Sequence, residues 1–155
     1  MDKAKRLQEI RARGSMWTAQ GNYWLFGTCT YLDGSEVTEE ICQRNASKFF
    51  NKLDRIILGQ KSCASNVRLP RLVYVETGRF RTNRHFHFFI KGYDLKQYKQ
   101  IWSTAERIWP QLIDGAYDCV IKDNLGPTNS RLGYGWKEFD DYDRETVLVE
   151  CCHVV

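Results

Sequence analysis

Two histidines separated by one phenylalanine, His85 and His87, are the residues of this chain whose types and spacing most strongly indicate chemistry. They open the apolar run 85–90, which we interpret as a β-strand. Side chains of a strand alternate between its two faces, so both imidazoles point to one side while Phe86 and Phe88 point to the other. The pattern predicts a metal site with an apolar layer behind it.

A carboxylate is placed to join the two imidazoles. The strand-like segment 72–76 ends in Glu76, and the polar, glycine-containing loop 77–84 connects it to the histidine strand. In an antiparallel hairpin Glu76 lies opposite or nearly opposite His85, and directly facing residues have Cβ atoms roughly 5 Å apart. Two nitrogens and one carboxylate suit a divalent cation such as Mn²⁺, Mg²⁺ or Zn²⁺ that polarises a substrate oxygen. The alternative is that the histidines only occupy a half-buried strand.

The segment 131–139 offers a nucleophile. At helical spacing its apolar residues form one stripe, which leaves Tyr134 and Lys137 together on a different face. A phenol with a pKa of about 10 is a weak nucleophile at neutral pH, but a nearby lysine or metal favours the phenolate. The alternative is an ordinary amphipathic helix with a surface tyrosine and lysine.

Taken in order along the chain, these motifs resemble those of the HUH endonucleases that initiate rolling-circle replication. That family comprises the Rep proteins of small circular single-stranded DNA viruses, phages and plasmids. The resemblance rests on Glu76, the pair His85 and His87, and the segment from Tyr134 to Lys137. It covers residues 23–139, and the strand-like segment 24–31 is similar to the family's first motif.

The resemblance implies a nickase. Glu76, His85 and His87 would hold a divalent metal ion, Mn²⁺ or Mg²⁺, and Tyr134 would attack a scissile phosphate in single-stranded DNA. The tyrosine would become linked to the 5′ phosphate and a 3′ hydroxyl would be freed to prime replication, with Lys137 assisting the tyrosine or positioning the phosphate. The implied partners are single-stranded DNA at a replication origin and the host helicase and polymerase.

Basic residues surround the metal hairpin and predict the DNA contacts. Arginine binds phosphate through bidentate hydrogen bonds, and an aromatic ring between arginines can stack on a base. We assign this role to Arg79, Phe80, Arg81 and Arg84 in the hairpin loop and to Arg131 before the tyrosine. The alternative is a solvated basic loop.

The remaining elements must position these residues. Strands are expected at 24–31, 72–76, 85–90, 117–121 and 147–155, and helices are expected from the cap Thr38 to Gly59, from the cap Asp94 to Pro110, and around Tyr134. This order predicts an α+β fold, a ferredoxin-like antiparallel sheet of about five strands, with helices on one face and the active site on the open face.

The length and composition of the chain restrict the number of domains and the class of protein. The 155 residues, 43% of them hydrophobic, fit one domain. We divide the chain into a basic N-terminal arm, residues 1–20, that is mobile or contacts DNA, and a single endonuclease domain, residues 21–155. The sequence shows neither a membrane-spanning apolar run, nor a signal peptide, nor a nucleotide-binding Gly-rich loop. Six cysteines without Cys-x-x-Cys spacing fit a reducing compartment, the cytoplasm of a host cell.

Three other functions share some of these sequence features. A single-tyrosine HUH transposase shares the histidine strand and the tyrosine helix, but Glu76 as a preceding ligand favours a Rep protein. A non-haem iron oxygenase or cupin-like protein also binds metal through two histidines and a carboxylate, but cupins are all-β, whereas this chain has two strongly amphipathic helices. A non-catalytic module that binds single-stranded nucleic acid explains the basic loop but leaves the metal and tyrosine motifs unexplained. The chain is either a nuclease-only protein or the nuclease domain of a longer Rep protein.

Overall fold

A four-stranded antiparallel sheet with helices packed on it organises the protein. The computed structural model describes residues 2–78, 82–125, 131, 136 and 147–154. In chain order its main elements are α1 (Lys3–Gln20), β1 (Leu25–Tyr31), α2 (Glu39–Leu58), β2 (Arg71–Glu76), β3 (His85–Ile90), α3 (Gln97–Leu112) and β4 (Ala116–Asp123). Short 3₁₀ helices cover Gly34–Glu36 and Val149–Cys151.

The strand order in the sheet is β2, β3, β1, β4, and every pairing is antiparallel. From β1 onward the chain runs strand, helix, strand, strand, helix, strand, which confirms the predicted ferredoxin-like α+β class. The central strand β1 contains Gly27, which leaves room for the Phe88 ring of β3. A Cβ atom at Gly27 would lie 2.1 Å from Phe88 Cζ. Glycine at this position therefore permits the close packing of the two central strands.

The predicted fifth strand is not formed, and this is a correction to the expected strand number. Residues 147–154 touch β2 through isolated bridges at Val147 and His153, with a 3₁₀ turn between them. Leu148 and Cys151 are both buried in the main core. Residues three apart would lie on opposite faces of a strand, whereas one 3₁₀ turn brings them to the same side.

Helices α2 and α3 cover one face of the sheet. The Thr38 hydroxyl accepts a hydrogen bond from the Ile41 amide at 3.2 Å, as the predicted helix cap requires, and α2 stops at Gly59 with φ of +102°. Helix α3 runs two residues past Pro110, contrary to expectation. Proline removes only one backbone donor there, and Ile113 just beyond the helix packs into the core.

Helix α1 lies in the segment that the sequence analysis treated as a basic arm. The sequence did not predict it because only Gly14 and Thr18 of its residues are buried, so it has no broad apolar stripe. The Thr18 hydroxyl is 2.9 Å from the Tyr74 hydroxyl, which places the end of α1 over the sheet face opposite α2 and α3. Among the described residues, no helix has both the length and the apolar character needed to cross a membrane.

Candidate metal centre

The β2–β3 hairpin places the three predicted ligands together. Its register pairs Glu76 with His85 and Tyr74 with His87. Side chains at 74 and 76 of β2 share a face with those at 85 and 87 of β3, and this is the face that α2 and α3 leave open. The predicted position of the carboxylate opposite the first histidine is confirmed by this register.

The ligand atoms converge tightly. The Nε2 atom of His87 lies 2.6 Å from Oε2 of Glu76, and the Nε2 atom of His85 lies 3.4 Å from the same oxygen. One ligand atom from each residue falls within a group no more than 4.8 Å across. Glu76 and His87 are only 8% and 5% exposed. The three side chains could hold a metal ion, and imidazole nitrogen with carboxylate oxygen is a donor set that divalent cations accept.

Hydrogen bonds on the far side of each ring hold both imidazoles in this orientation. His85 donates from Nδ1 to the Asn83 carbonyl oxygen at 2.8 Å, which directs Nε2 toward Glu76. His87 Nδ1 lies 2.8 Å from the Thr28 hydroxyl oxygen. The Phe26 ring stacks on the His87 ring with centroids 5.3 Å apart. Metal-binding histidines are commonly oriented by such a second hydrogen bond.

Thr28, Phe26 and the Asn83 carbonyl are not predicted as parts of the site by the sequence motifs. A signal for the first two is present in the alternation of β1, where residues 26 and 28 share a face. It could be used only once β1 was known to pair with β3, because Thr28 lies opposite His87 in that pairing. The residue pattern within β1 does not indicate which strand pairs with it.

Thr28→Val should weaken divalent-metal binding about tenfold or more, because outer-shell partners of metal-binding histidines contribute about 10- to 100-fold in affinity. Valine keeps the shape of threonine but cannot hold the Nδ1 atom of His87. Titration of Mn²⁺ into metal-free protein measures the effect. Thr28→Ser keeps the hydroxyl and should retain most of the affinity. Equal metal affinity in the valine variant and the wild type would mean that this contact does not orient the ring.

Trp136 packs on the open face of the sheet. Its ring centroid lies 5.7 Å from that of Tyr74, and its indole N–H donates to the Thr18 hydroxyl at 3.2 Å. The close approach to α1 uses Gly14, where a Cβ atom would lie 2.2 Å from the indole ring. Trp136 therefore packs on the strand position next to Glu76 on the same face. Tyr134 and Lys137 themselves lie outside the described residues.

Two of the predicted DNA-binding residues, Arg84 and Arg131, belong to the described part of the chain. Arg84 donates from its guanidinium to the Val37 carbonyl just before α2, so the helix layer engages this side chain. Arg131 donates to the Asp123 carbonyl at the end of β4, 2.8 Å away. Asp123 pairs with the first residue of β1, at the end of the sheet away from His85. The other three, Arg79, Phe80 and Arg81, lie outside the described residues.

The sheet face beside the ligands is accessible on the β4 side. Val120 of β4 lies opposite Thr28 and is 43% exposed, and Lys122 lies opposite Phe26 and is exposed. On the β2 side the same face is covered, because α1 and Trp136 pack over Tyr74. A ligand can therefore approach the metal centre across β1 and β4.

Two tyrosines share the open face with the candidate ligands, and neither is poised for chemistry. Burial raises the pKa of Tyr74 well above its ordinary value, and its hydroxyl is hydrogen-bonded to Thr18. Burial likewise raises the pKa of Tyr23 to about 12. A buried phenol with a raised pKa is protonated at neutral pH and is a poor nucleophile.

No protein-family model, curated protein or solved structure matches this chain. The function proposed below therefore rests on the geometry of the metal centre and on the sequence motifs around it.

Proposed function

We propose that this chain is a metal-dependent, sequence-specific endonuclease of the HUH type that nicks and joins single-stranded DNA and initiates rolling-circle replication. The observation that carries the proposal is the convergence of Glu76, His85 and His87 on an open sheet face. Trp136, which follows Tyr134 by two residues in the sequence, packs on the same face. Two imidazoles and a carboxylate beside an accessible sheet surface suit a site that binds a phosphodiester and a divalent cation, Mn²⁺ or Mg²⁺.

The proposed reaction is a transfer of the phosphoryl group to tyrosine. The Tyr134 phenol oxygen attacks the scissile phosphorus, the bond from phosphorus to the 3′ oxygen breaks, and a 5′-phosphotyrosine forms. The phenol loses its proton and the departing 3′ oxygen gains one, so the step needs no other reactant. A divalent cation held by Glu76, His85 and His87 would supply Lewis-acid polarisation of the phosphate. Lys137 would stabilise the phenolate or the phosphate charge, and reversal of the step joins strands.

The basic surface favours nucleic acid as the substrate. Exposed cationic side chains cover the outer part of α1, whose last turns lie on the metal-bearing face: Lys3, Lys5, Arg6, Arg11 and Arg13. Val120 and Lys122 of β4 are exposed on this face and give a single strand an accessible surface beside the ligands. Such a surface binds the phosphates of a single strand through charge.

A covalent-capture experiment tests the proposal. The protein is incubated with a labelled random single-stranded DNA library and Mn²⁺, and adducts are separated on a denaturing gel and sequenced. We expect a protein-linked 5′ end with a common cleavage sequence, formed with Mn²⁺ and lost when EDTA is added. Absence of an adduct, with saturable DNA binding retained, would support the non-catalytic binding module instead.

Salt dependence tests which arginines contact phosphate. On single strands the logarithm of the binding constant changes with the logarithm of salt concentration by about −0.7 per phosphate contacted. Arg79→Ala with Arg81→Ala should therefore reduce the slope by about 1.4, if each arginine neutralises one phosphate. Adding Arg84→Ala should change the slope little more, because the Arg84 guanidinium is engaged by the Val37 carbonyl. Fluorescence anisotropy over a salt series measures the slope, and an unchanged slope in the double variant would place the DNA elsewhere.

A further inference from the structure

A polar cavity of ≈ 280 Å³ lies at the end of β2 away from the metal centre. Arg71 at this end is five residues before Glu76, which corresponds to roughly 17 Å along a strand. The cavity lies between α2, the loop before β2 and the C-terminal segment 150–153. Its polar lining includes Ser47, Asn51, Asn66, Arg68, Arg71 and His153.

Arg71 is a buried cation that is only partly used by its protein partners. Its Nη1 atom lies 2.9 Å and 3.1 Å from the two carboxylate oxygens of Asp54, and its Nε donates to the Cys151 carbonyl at 2.8 Å. The side chain is 5% exposed. Among the described residues its Nη2 atom makes no hydrogen bond, although Arg71 lines the cavity.

Arg68 offers a second guanidinium to the same cavity. Within the described part of the chain, every hydrogen bond that its guanidinium makes uses Nη1, which donates to Asn51 at 2.6 Å, to Cys63 Sγ at 2.7 Å and to Asp54 at 3.3 Å. Its Nε and Nη2 atoms have no partner there, and its side chain is 21% exposed. The guanidinium groups of Arg68 and Arg71 therefore both present unused N–H donors to one small cavity.

Protein donors already engage both carboxylates near this cavity. The Asp54 carboxylate is fully buried behind the arginines and is occupied by them and by the Leu69 amide. The Glu150 carboxylate at the rim is turned to the Gln43 side chain. Burial and the charge of Arg71 lower the pKa of His153, so the imidazole adds no charge at neutral pH. The spare guanidinium donors of Arg68 and Arg71 call for a ligand that supplies acceptors.

We propose that this cavity binds a phosphate group, carried by a nucleotide or by the DNA chain. A tetrahedral oxyanion presents several acceptor oxygens, and guanidinium forks match phosphate with paired hydrogen bonds. A cavity of ≈ 280 Å³ holds a phosphate with part of a sugar, and it is at the small end of ligand pockets, which begin at roughly 300 Å³. The ligand would replace water at Nη2 of Arg71 and at the free edge of Arg68.

Calorimetric titration of the full chain tests the proposal, in metal-free buffer so that the metal centre does not contribute. The probe is inorganic phosphate. We expect saturable binding with a Kd of about 1 mM or tighter, and binding only at tens of millimolar would overturn the proposal. Arg68→Met should weaken the affinity about tenfold or more, since a charge-assisted hydrogen bond is lost. Arg107→Met, on the exposed side of α3, is the matched control and should bind as the wild type does.

A second variant is expected to bind phosphate more tightly than the wild type. Misfolding cannot produce such a gain in affinity, so this variant tests the site independently of folding. Glu150→Gln removes the negative charge at the rim while keeping the side-chain size, and we expect phosphate to bind about threefold more tightly. A weaker affinity in this variant would contradict the proposal.

Phosphate should also raise the pKa of His153, because a bound anion offsets the nearby guanidiniums of Arg68 and Arg71 and adds to the effect of Asp54. Histidine resonances followed by NMR report this change.

Competition identifies the source of the phosphate. Thymidine monophosphate and a ten-residue thymidine oligonucleotide are each titrated against bound inorganic phosphate. Displacement by the oligonucleotide in the wild type, but not in the Arg68→Met variant, assigns the cavity to the DNA chain. Displacement by the mononucleotide alone assigns it to a free nucleotide, and displacement by neither would overturn the proposal. The result does not depend on nicking, so loss of the proposed enzymatic function would be seen separately in the covalent-capture experiment.

Discussion

Replacing Tyr134 with phenylalanine is expected to abolish the covalent protein–DNA adduct while leaving the fold and DNA binding intact. The change removes one oxygen atom and almost no apolar surface. Loss of a nucleophile that acts as part of a catalytic set reduces turnover by about 10³-fold or more. With no phenol oxygen to bond to phosphorus, the 5′-phosphotyrosine cannot form at this position.

The structure narrows the choice of nucleophile among the eight tyrosines. Tyr23 and Tyr74 lie on the metal-bearing side but are buried with raised pKa values. Tyr31 packs into the main core under the helices. In the sequence, Lys137 follows Tyr134 by three residues and Trp136, which lies on the open face, follows it by two. These observations favour Tyr134.

The matched control for this experiment is Tyr142→Phe. Tyr142 stands in the sequence among Asp140, Asp141 and Asp143, whose charge disfavours a phenolate and repels a phosphate. The denaturing-gel assay with Mn²⁺ should therefore show the adduct with Tyr142→Phe and none with Tyr134→Phe. The opposite result would move the nucleophile to Tyr142 while keeping the proposed nickase.

His87→Ala should abolish divalent-cation-dependent cleavage, with a loss of about 10³-fold or more, because metal catalysis contributes several kcal/mol to such reactions. His87 lies closest to the shared carboxylate, 2.6 Å from Glu76, and is 5% exposed. Its removal leaves one imidazole and one carboxylate in a site built for three ligands. DNA affinity should remain within a few-fold of the wild type, since it depends on basic side chains elsewhere.

Glu76→Gln gives the same test with less disturbance of packing. The amide keeps the size of the side chain but removes the negative charge that a cation requires. Mn²⁺ titration and the nicking assay should both show a large loss, with an unchanged thermal midpoint in metal-free buffer to within a few degrees. Asp114→Asn, an exposed carboxylate beyond α3, is the control and should have no effect. Undiminished cleavage by both the His87→Ala and Glu76→Gln variants in Mn²⁺ would show that these residues do not hold a metal ion required for cleavage.

The candidate ligands could be predicted from the sequence because they depend on local rules. Alternation within one strand places His85 and His87 on the same face, and a short hairpin brings Glu76 opposite His85 without reference to the rest of the chain. The cap Thr38 and the stop at Gly59 follow from equally local chemistry. The ferredoxin-like class followed from the order of such elements.

The surroundings of the site were decided by contacts between residues far apart in the chain. Thr28 reaches His87 across 59 positions because β1 enters the sheet beside β3, and strand order is a property of the whole core. Trp136 lies over α1 because Gly14 allows a close approach. The last predicted strand gave way to a 3₁₀ turn because the core takes both Leu148 and Cys151. The ligand pattern is thus a local property of the sequence, whereas the groups that orient the rings and cover the sheet depend on long-range packing.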